Sequence, residues 1–423
     1  MRLALAILVG KLLRMLTRIR GGGSAFPGFI ALRIMPDLLS RTLGALPGGV
    51  IFVTGSNGKS TTTTMAATVL RHHGVRVFTN PAGGNLPQGL ASAVIASAGP
   101  LGRIKADVVL LEVDEAYGPI TARLLTPDWV AVTNIQVDQL NRFGEPERVL
   151  GMVRELAETA TKGVIVNGAD PNLAHLGGQL EKAGKTVVPV GVSGSAIASQ
   201  PHGVVAAPVY FDEHAPLRAQ PSVMLESVAE DNAVLVVRGE AVSVQLPAPG
   251  LHYGIDAVIA VGIADTVRQG DTVAPSIRSS FEDQAPVYGR GEIIRFRGRE
   301  ISLTMMKNLP SLQVNLSAMK GQREIVWVAV DEGTPDPSWM FDVDLEPLDH
   351  VDVITGTKAW QWVLLCEHRG LPYGQVIEDT KAALNAVVAL PHTTSQPVTA
   401  IVNYEQMMLI RRLAGYKDLE GRT

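Results

Sequence analysis

The chain has 423 residues, 46% hydrophobic and 18% charged, with a formal net charge of −4 and one cysteine. That length suggests about two or three domains, and that composition a globular chain; disorder is excluded. The charge gives no general pull toward nucleic acid or membrane, and no nucleic-acid partner is expected. With Cys366 alone, an internal disulfide is impossible and a cysteine-rich zinc site is excluded; its apolar run WVLLC reads as core.

The amino-terminal run LALAILVG is too short to span a membrane, which needs about 20 apolar residues. It also lacks the longer apolar stretch and cleavage site of a signal peptide. Lys11, Arg14, Arg18 and Arg20 follow it and make a basic amphipathic helix. Such a helix either packs on the body of the protein or touches an anionic membrane surface. GGGSAFPG then reads as a loop, and residues 1–48 as a leader.

From Gly49 the chain alternates. GVIFVTG is a strand; KSTTTTMAATVLRHHG is a helix stopped by Gly74; VRVF, ADVVLLEVD, DWVAVTNI, KGVIVNGAD and KTVVPVGV continue the strands. Continuous apolar strands separated by helices predict a parallel sheet covered on both faces. Residues 195–250 are richer in Pro, Ser and Ala and read as a small antiparallel insertion within a central domain at 49–280. A second, smaller α/β domain follows at 281–423, with strands in REIVWVAVD, HVDVITG and VTAIVNY.

The stretch TGSNGKSTTT carries the first chemical signal. A strand ends at Thr54, a Gly-rich turn follows, and a helix begins near Lys59. Gly55 and Gly58 let the backbone approach a ligand, and amides at the helix start favour anions. Ser56, Asn57 and Thr61 complete the turn, Lys59 can neutralise phosphate charge, and Ser60 can place its hydroxyl on Mg²⁺. The spacing is shorter than the usual GxxxxGK followed by Ser or Thr. The bland alternative is a Ser/Thr-capped helix. Further strand ends supply polar groups: Glu112, Asp114 and Glu115 after one strand, Asn134 and Asp138 after the next. Ligands of open parallel sheets bind outside such ends. A magnesium ion on ATP phosphates needs one or two carboxylates, which Glu112 or Asp114 could supply; otherwise these are solvated loop charges.

TGSNGKSTTT, EVDE, TNIQVDQLNRFGE and NGADPN, in this order, resemble the central ATPase domain of the Mur ligases. Within that superfamily the chain resembles the MurT family, the ligase-like subunit of lipid II isoglutaminyl synthase. The phosphate loop starts near residue 54, leaving no room for an N-terminal UDP-sugar-binding domain. The leader between Gly10 and Leu39 resembles the MurT leader, and Gln139 stands where most Mur ligases have His. YGRGE, MKNLP, DPSWMFDVDLE and NYEQMMLIR resemble the MurT carboxyl-terminal domain.

The resemblance implies an α/β protein with a Mur ligase-like P-loop ATPase domain and a smaller α/β domain. It implies ATP and Mg²⁺ as cofactors and a cytoplasmic enzyme at the inner face of the membrane. The α-carboxylate of D-glutamate in the lipid II stem peptide would be activated as an acyl-phosphate and amidated to D-isoglutamine. Ammonia would come from a GatD-like glutamine amidotransferase, partner in a heterodimer. In the family an Asp in a DxSW motif completes the partner's Cys-His pair; that position is Asp336 here. Asp336 also suits a helix N-cap with Pro at the first helical position. Arg290 in YGRGE could reach a phosphate, and Lys307 with Asn308 would lie near nucleotide or acyl-phosphate. Asn80 and Asn85 could approach substrate or phosphate. Many relatives carry a four-cysteine zinc ribbon that this chain cannot have, so no zinc is expected. Tyr253 and Asp256 replace two Asn of an adenine-side segment. A stand-alone amino-acid ligase and a non-catalytic scaffold for the amidotransferase remain as other readings.

Overall fold

A computed structural model describes residues 2–19, 25–81, 84–198, 204–213, 215–284, 290–317, 319, 321, 323–332 and 338–416. The chain divides into two compact units. One comprises Met1–Gln136 and Glu145–Ala285, the other Val137–Gly144 and Pro286–Thr423. The short excursion 137–144 therefore belongs with the carboxyl-terminal unit, and the leader with the first.

The first unit is built on a nine-stranded sheet. Its strands are β1 (Val50–Thr54), β2 (Val77–Phe78), β3 (Val108–Glu112), β4 (Trp129–Val132), β5 (Gly163–Asn167), β6 (Thr186–Val192), β7 (Val223–Ala229), β8 (Asn232–Val237) and β9 (Glu240–Gln245). Their order is β2-β3-β1-β4-β5-β6-β7-β8-β9. From β2 to β7 every pairing is parallel. Strands β1, β3 and β5 are buried at all five positions, as expected for runs covered on both faces. The chain leaves β1 toward β3 and β2, then returns to β4 on the other side. The crevice at this reversal is where open α/β sheets place ligands.

The stretch 195–250, read as a small antiparallel insertion, includes strands β7 to β9. Strand β7 joins β6 in parallel register, Val190 opposite Val223, and β8 and β9 then continue the same sheet antiparallel. The reversal between β8 and β9 is a two-residue turn, Arg238-Gly239, with both residues at positive φ, the twist that hairpins favour.

Behind the sheet, the Leu251–Val267 helix is apolar on all sides and buried along most of its length. Gly254 and Gly262 give it clearance: a Cβ would meet Val228 at 2.7 Å and Val190 at 2.5 Å respectively. The leader forms an 18-residue helix, Arg2–Ile19. It packs on the unit through Ala6 and Ile7, and Gly10 lies so close to Ile95 that a Cβ would meet it at 2.6 Å. Lys11 Nζ donates to the Ala98 carbonyl at 2.6 Å.

The second unit has a six-stranded sheet: β10 (Arg290–Phe296), β11 (Arg299–Met305), β12 (Val326–Ala329), β13 (Val351–Thr355), β14 (Tyr373–Val376) and β15 (Val398–Val402). The order is β10-β11-β15-β12-β13-β14, parallel except for the β10–β11 hairpin. Helices cover both faces, each with its own apolar core. Trp327 at the centre is fully buried, and its indole N–H donates to Thr355 Oγ1 at 2.8 Å.

Candidate functional site

Strand β1 ends at Thr54, and the Lys59–His72 helix begins five residues later. The turn between them needs glycine twice. Gly55 has φ +124°, and a Cβ there would meet Thr133 Oγ1 at 2.3 Å. Gly58 has φ +80°, and a Cβ would lie 2.1 Å from Asp256 Oδ1. Both positions lie in backbone space that side chains avoid. Among the described residues no side chain caps the start of this helix, whose amides favour an anion.

The turn is held from its neighbours. The amides of Ser56 and Asn57 donate to Asn134, to its carbonyl at 3.0 Å and its Oδ1 at 2.9 Å. Asn134 Nδ2 and Thr133 Oγ1 both donate to the Asn57 carbonyl, at 3.1 and 2.6 Å. Asn57 Nδ2 reaches Gln136 Oε1 at 2.8 Å. Beneath the turn, Thr62 Oγ1 donates to the buried Asp256 at 3.2 Å. Asn134 thus shapes the loop itself, and Asp256 fills the space under Gly58. Thr61 is buried in the first helical turn.

Lys59 is buried. Its ammonium donates to the carbonyls of Gly55 (2.6 Å) and Ser56 (3.2 Å) and pairs with Glu115 Oε1 at 2.5 Å. Ser60 is exposed, and its hydroxyl donates to Glu112 Oε2 at 2.6 Å. Glu112 is fixed by two asparagines. Asn80 brackets its backbone, accepting from Glu112 N at 2.9 Å and donating to Glu112 O at 3.1 Å; Asn85 Nδ2 donates to Glu112 Oε1 at 3.0 Å. Asp114 accepts from its own turn, from Ala116 N at 3.1 Å.

This donor set fits a nucleotide with its divalent cation. A hydroxyl and a carboxylate oxygen meet at Ser60 and Glu112, hard ligands of the kind Mg²⁺ takes alongside water and phosphate. Glu115 Oε2 is buried with no hydrogen-bond partner among the described residues, so an oxygen lone pair is left for a cation or donor. Among the described residues no group of three or more His, Cys, Asp or Glu forms a self-sufficient metal cage.

At the end of β5, Asp170 caps the Pro171–Lys182 helix, accepting from the Asn172 and Leu173 amides, and also accepts from Ile135 N at 2.7 Å. Burial pushes its carboxyl up to about 6, against the downward pull of these amides.

In the second unit, Lys307 Nζ pairs with Asp138 Oδ2 at 2.7 Å, Asp138 buried and Lys307 half-exposed. Asn308 caps the Leu309–Ser317 helix: its Oδ1 accepts from Ser311 N at 3.0 Å. Arg290 opens β10, but its side chain, with Gly289 and Asp336, lies outside the described residues.

Gly55, Ser56, Asn57, Gly58, Lys59, Ser60, Thr61, Asn134 and Glu112 thus converge around one turn. Asp138 and Lys307 meet each other in the second unit. Sequence reasoning did not reveal that Glu115 holds Lys59, nor that Thr133 and Gln136 tie down the loop. Glu115 stood in EVDE, and Thr133 and Gln136 stood in TNIQVDQLNRFGE, motifs already singled out, but only Asn134 and Asp138 were taken from the second.

A glycine turn between strand and helix at the reversal of a parallel sheet, backed by a fixed carboxylate, defines the class as an open α/β fold with a site at its switch point. The Mur ligase middle domain matches residues 53–264, half of the chain, and the chain belongs to the Mur ligase family. It is 25% identical over 389 residues to the MurT subunit of lipid II isoglutaminyl synthase (glutamine-hydrolyzing) from Staphylococcus aureus, covering 85% of this chain and 86% of that one. The MurT subunit from Streptococcus pneumoniae is 25% identical over 381 residues, covering 84% and 83%. Among solved structures, MurF from Acinetobacter baumannii superposes with a TM-score of 0.66 at 19% identity, over 90% of this chain and 79% of that one.

Proposed function

We propose that this chain is the ATP-dependent subunit of a lipid II amidating ligase. The observation that carries the reading is the extent of the likeness to the MurT subunits, which spans both compact units and 85% of the chain. The Lys59, Ser60 and Glu112 cluster gives that likeness a chemical centre.

A carboxylate is a poor electrophile. In the proposed reaction an oxygen of the D-glutamate α-carboxylate bonds to the terminal phosphorus of ATP, and ADP leaves. Ammonia then attacks the acyl carbon, phosphate departs with the bonding pair, and the nitrogen loses a proton, leaving D-isoglutamine. Mg²⁺ supplies charge neutralisation on the phosphates. Ser60 and Glu112 would hold it; Asn80 and Asn85 keep Glu112 oriented. Lys59 would exchange its carbonyl contacts for phosphate oxygens while its ammonium stays paired with Glu115. The open helix start at Gly58 would accept phosphate charge through backbone amides. Arg290, Asp138 and Lys307 are further candidates for nucleotide contact.

The nitrogen source in this reading is a GatD-like glutamine amidotransferase in a heterodimer, with Asp336 completing its Cys-His pair. The site would lie in the cytoplasm at the inner face of the membrane, where a lipid-borne acceptor is reached.

The test uses the chain co-purified with the amidotransferase, supplied with lipid II, Mg-ATP and glutamine, and reads the stem-peptide mass. A hydroxyl-to-amine change that needs all three is expected. ATP turnover only on addition of a free amino acid would establish a stand-alone ligase instead. No ATP turnover under any condition would leave a scaffold.

A further inference from the structure

The Arg2–Ile19 helix buries one face and leaves another bare. Leu5, Leu8, Leu12, Met15 and Leu16 recur at helical spacing and all lie in solvent, Leu8 67% exposed. Covering apolar side chains is favourable, so this stripe is a surface with a driving force for contact. The helix carries Arg2, Lys11, Arg14 and Arg18 and no acidic residue. The first 36 positions hold six basic residues and no acidic one, in a chain of net charge −4.

A groove of about 1000 Å³ opens beside this helix, with Lys11 belonging to both. Its other basic side chains are Arg71, Arg76, Arg103 and Lys105. Asp107 neutralises Arg76 through a two-pronged pair, at 2.5 and 3.0 Å. Among the described residues no acidic side chain pairs with Arg71, Arg103 or Lys105, and Lys11 gives one hydrogen bond to the neutral Ala98 carbonyl, so four positive charges can meet an anion. Leu101 on the groove wall is 75% exposed.

Apolar stripe and basic groove share one border, and one partner matches both: a bilayer with anionic headgroups. The helix is not long and apolar enough to cross a membrane. Its geometry is that of a helix lying in the interface plane, leucines in the acyl boundary and basic side chains at the headgroups. We propose that the outer face of the Arg2–Ile19 helix and the Lys11–Arg103–Lys105 groove together form a docking surface for an anionic lipid bilayer. Docking needs neither nucleotide nor acceptor, so it stands or falls apart from the ligase reading.

The test is co-sedimentation of the full chain with phosphatidylcholine vesicles, with and without phosphatidylglycerol, at low and high salt. Binding only to the anionic vesicles, weakened by salt, is expected. Leu8→Glu with Leu12→Glu should abolish sedimentation. Arg103→Glu with Lys105→Glu should weaken it at least about tenfold, since each basic residue near such a surface contributes about 1 kcal/mol. All four positions are away from the phosphate loop, and both variants should keep the wild-type melting temperature and nucleotide affinity. Equal binding to neutral vesicles, or variants that sediment like wild type, would overturn the proposal. So would a solution dimer, split by Leu8→Glu, that ignores vesicles: the stripe would then be a contact between copies.

Discussion

The two ends of the large sheet use the same backbone pattern for different ends. In the parallel part, β1, β3 and β5 are buried throughout, and polar side chains appear only where the strands stop: the Gly55–Lys59 turn, Glu112, Asn167 with Asp170. In the antiparallel part, β9 alternates buried and exposed residues, and β8 alternates buried residues with the half-buried Val234 and Val236. On β9 the exposed Ser243 and Gln245 face water while Val242 and Val244 back the sheet. A polar residue at the end of a doubly covered strand has been kept at a cost and has a task; one in the middle of a half-covered strand is simply the wet face.

The sharpest way to break this contrast is at Lys59. Lys59→Ala should lower ATP-dependent amidation by at least about a hundredfold, the size expected for removing a charge-stabilising group. Because Glu115 would be left as an unpaired buried charge, the single variant also loses stability. Lys59→Ala with Glu115→Gln removes both charges; it should recover the wild-type melting temperature while activity stays lost. If activity returns with stability, Lys59 is a structural ion pair only. Next in size is Glu112→Gln, which should weaken the apparent affinity for Mg²⁺ by about 10–100-fold with ATP binding in metal-free buffer unchanged, as measured by calorimetry. An unchanged metal requirement would remove Glu112 from the site.

What could be read from the chain alone follows the same divide. The strand, turn and helix around Gly55–Lys59 were legible because their signals are contiguous: apolar strand, paired glycines, Lys-Ser, then a helix stopped by Gly74. The parallel sheet was legible because each strand is an unbroken apolar run. The Lys59–Glu115 pair was not, because 56 positions separate the partners and only the fold joins them. Asn80 and Asn85 were read as able to approach substrate or phosphate; that they also fix Glu112 was not legible, because it depends on β2 lying beside β3. The β10–β11 hairpin escaped notice although Arg297-Gly298 repeats the positive-φ pair of Arg238-Gly239. Strand β14 escaped because its residues, YGQV, are mostly exposed and carry no apolar run.

Stability should separate the two ends where activity does not. Leu235 on β8 is fully buried. Leu235→Ala should cost about 2–5 kcal/mol in unfolding free energy, with the Michaelis constant for ATP unchanged. A raised constant would mean that the antiparallel strands tune the site through the Leu251–Val267 helix and Asp256.

Asp170, at the parallel end, makes a pH prediction. Its carboxyl holds a proton up to about 6 in the folded chain, against 3.8 for the free side chain. The folded state therefore binds the proton more tightly. The resulting stability is fully present below about pH 3.8 and is lost as pH rises through about 6. The difference corresponds to about 3 kcal/mol. Asp170→Asn cannot titrate, so the melting-temperature advantage of wild type over this variant should shrink from pH 4 to pH 7. A constant gap would mean that the three amides keep Asp170 ionised throughout.

The smallest effect is expected one residue from a large one. Ser243 on β9 is exposed, and Val244 beside it is 4% exposed on the opposite face of the strand. Ser243→Ala removes a hydroxyl that water already serves, and should move stability by no more than about 0.5 kcal/mol, as surface substitutions do. Val244→Ala opens space in the core and should cost about 1–3 kcal/mol by the same denaturant titration. If Ser243→Ala proved as costly as Val244→Ala, the outer face of β8 and β9 would be covered in solution, and the contrast drawn between the two ends of the sheet would fail at its simplest point.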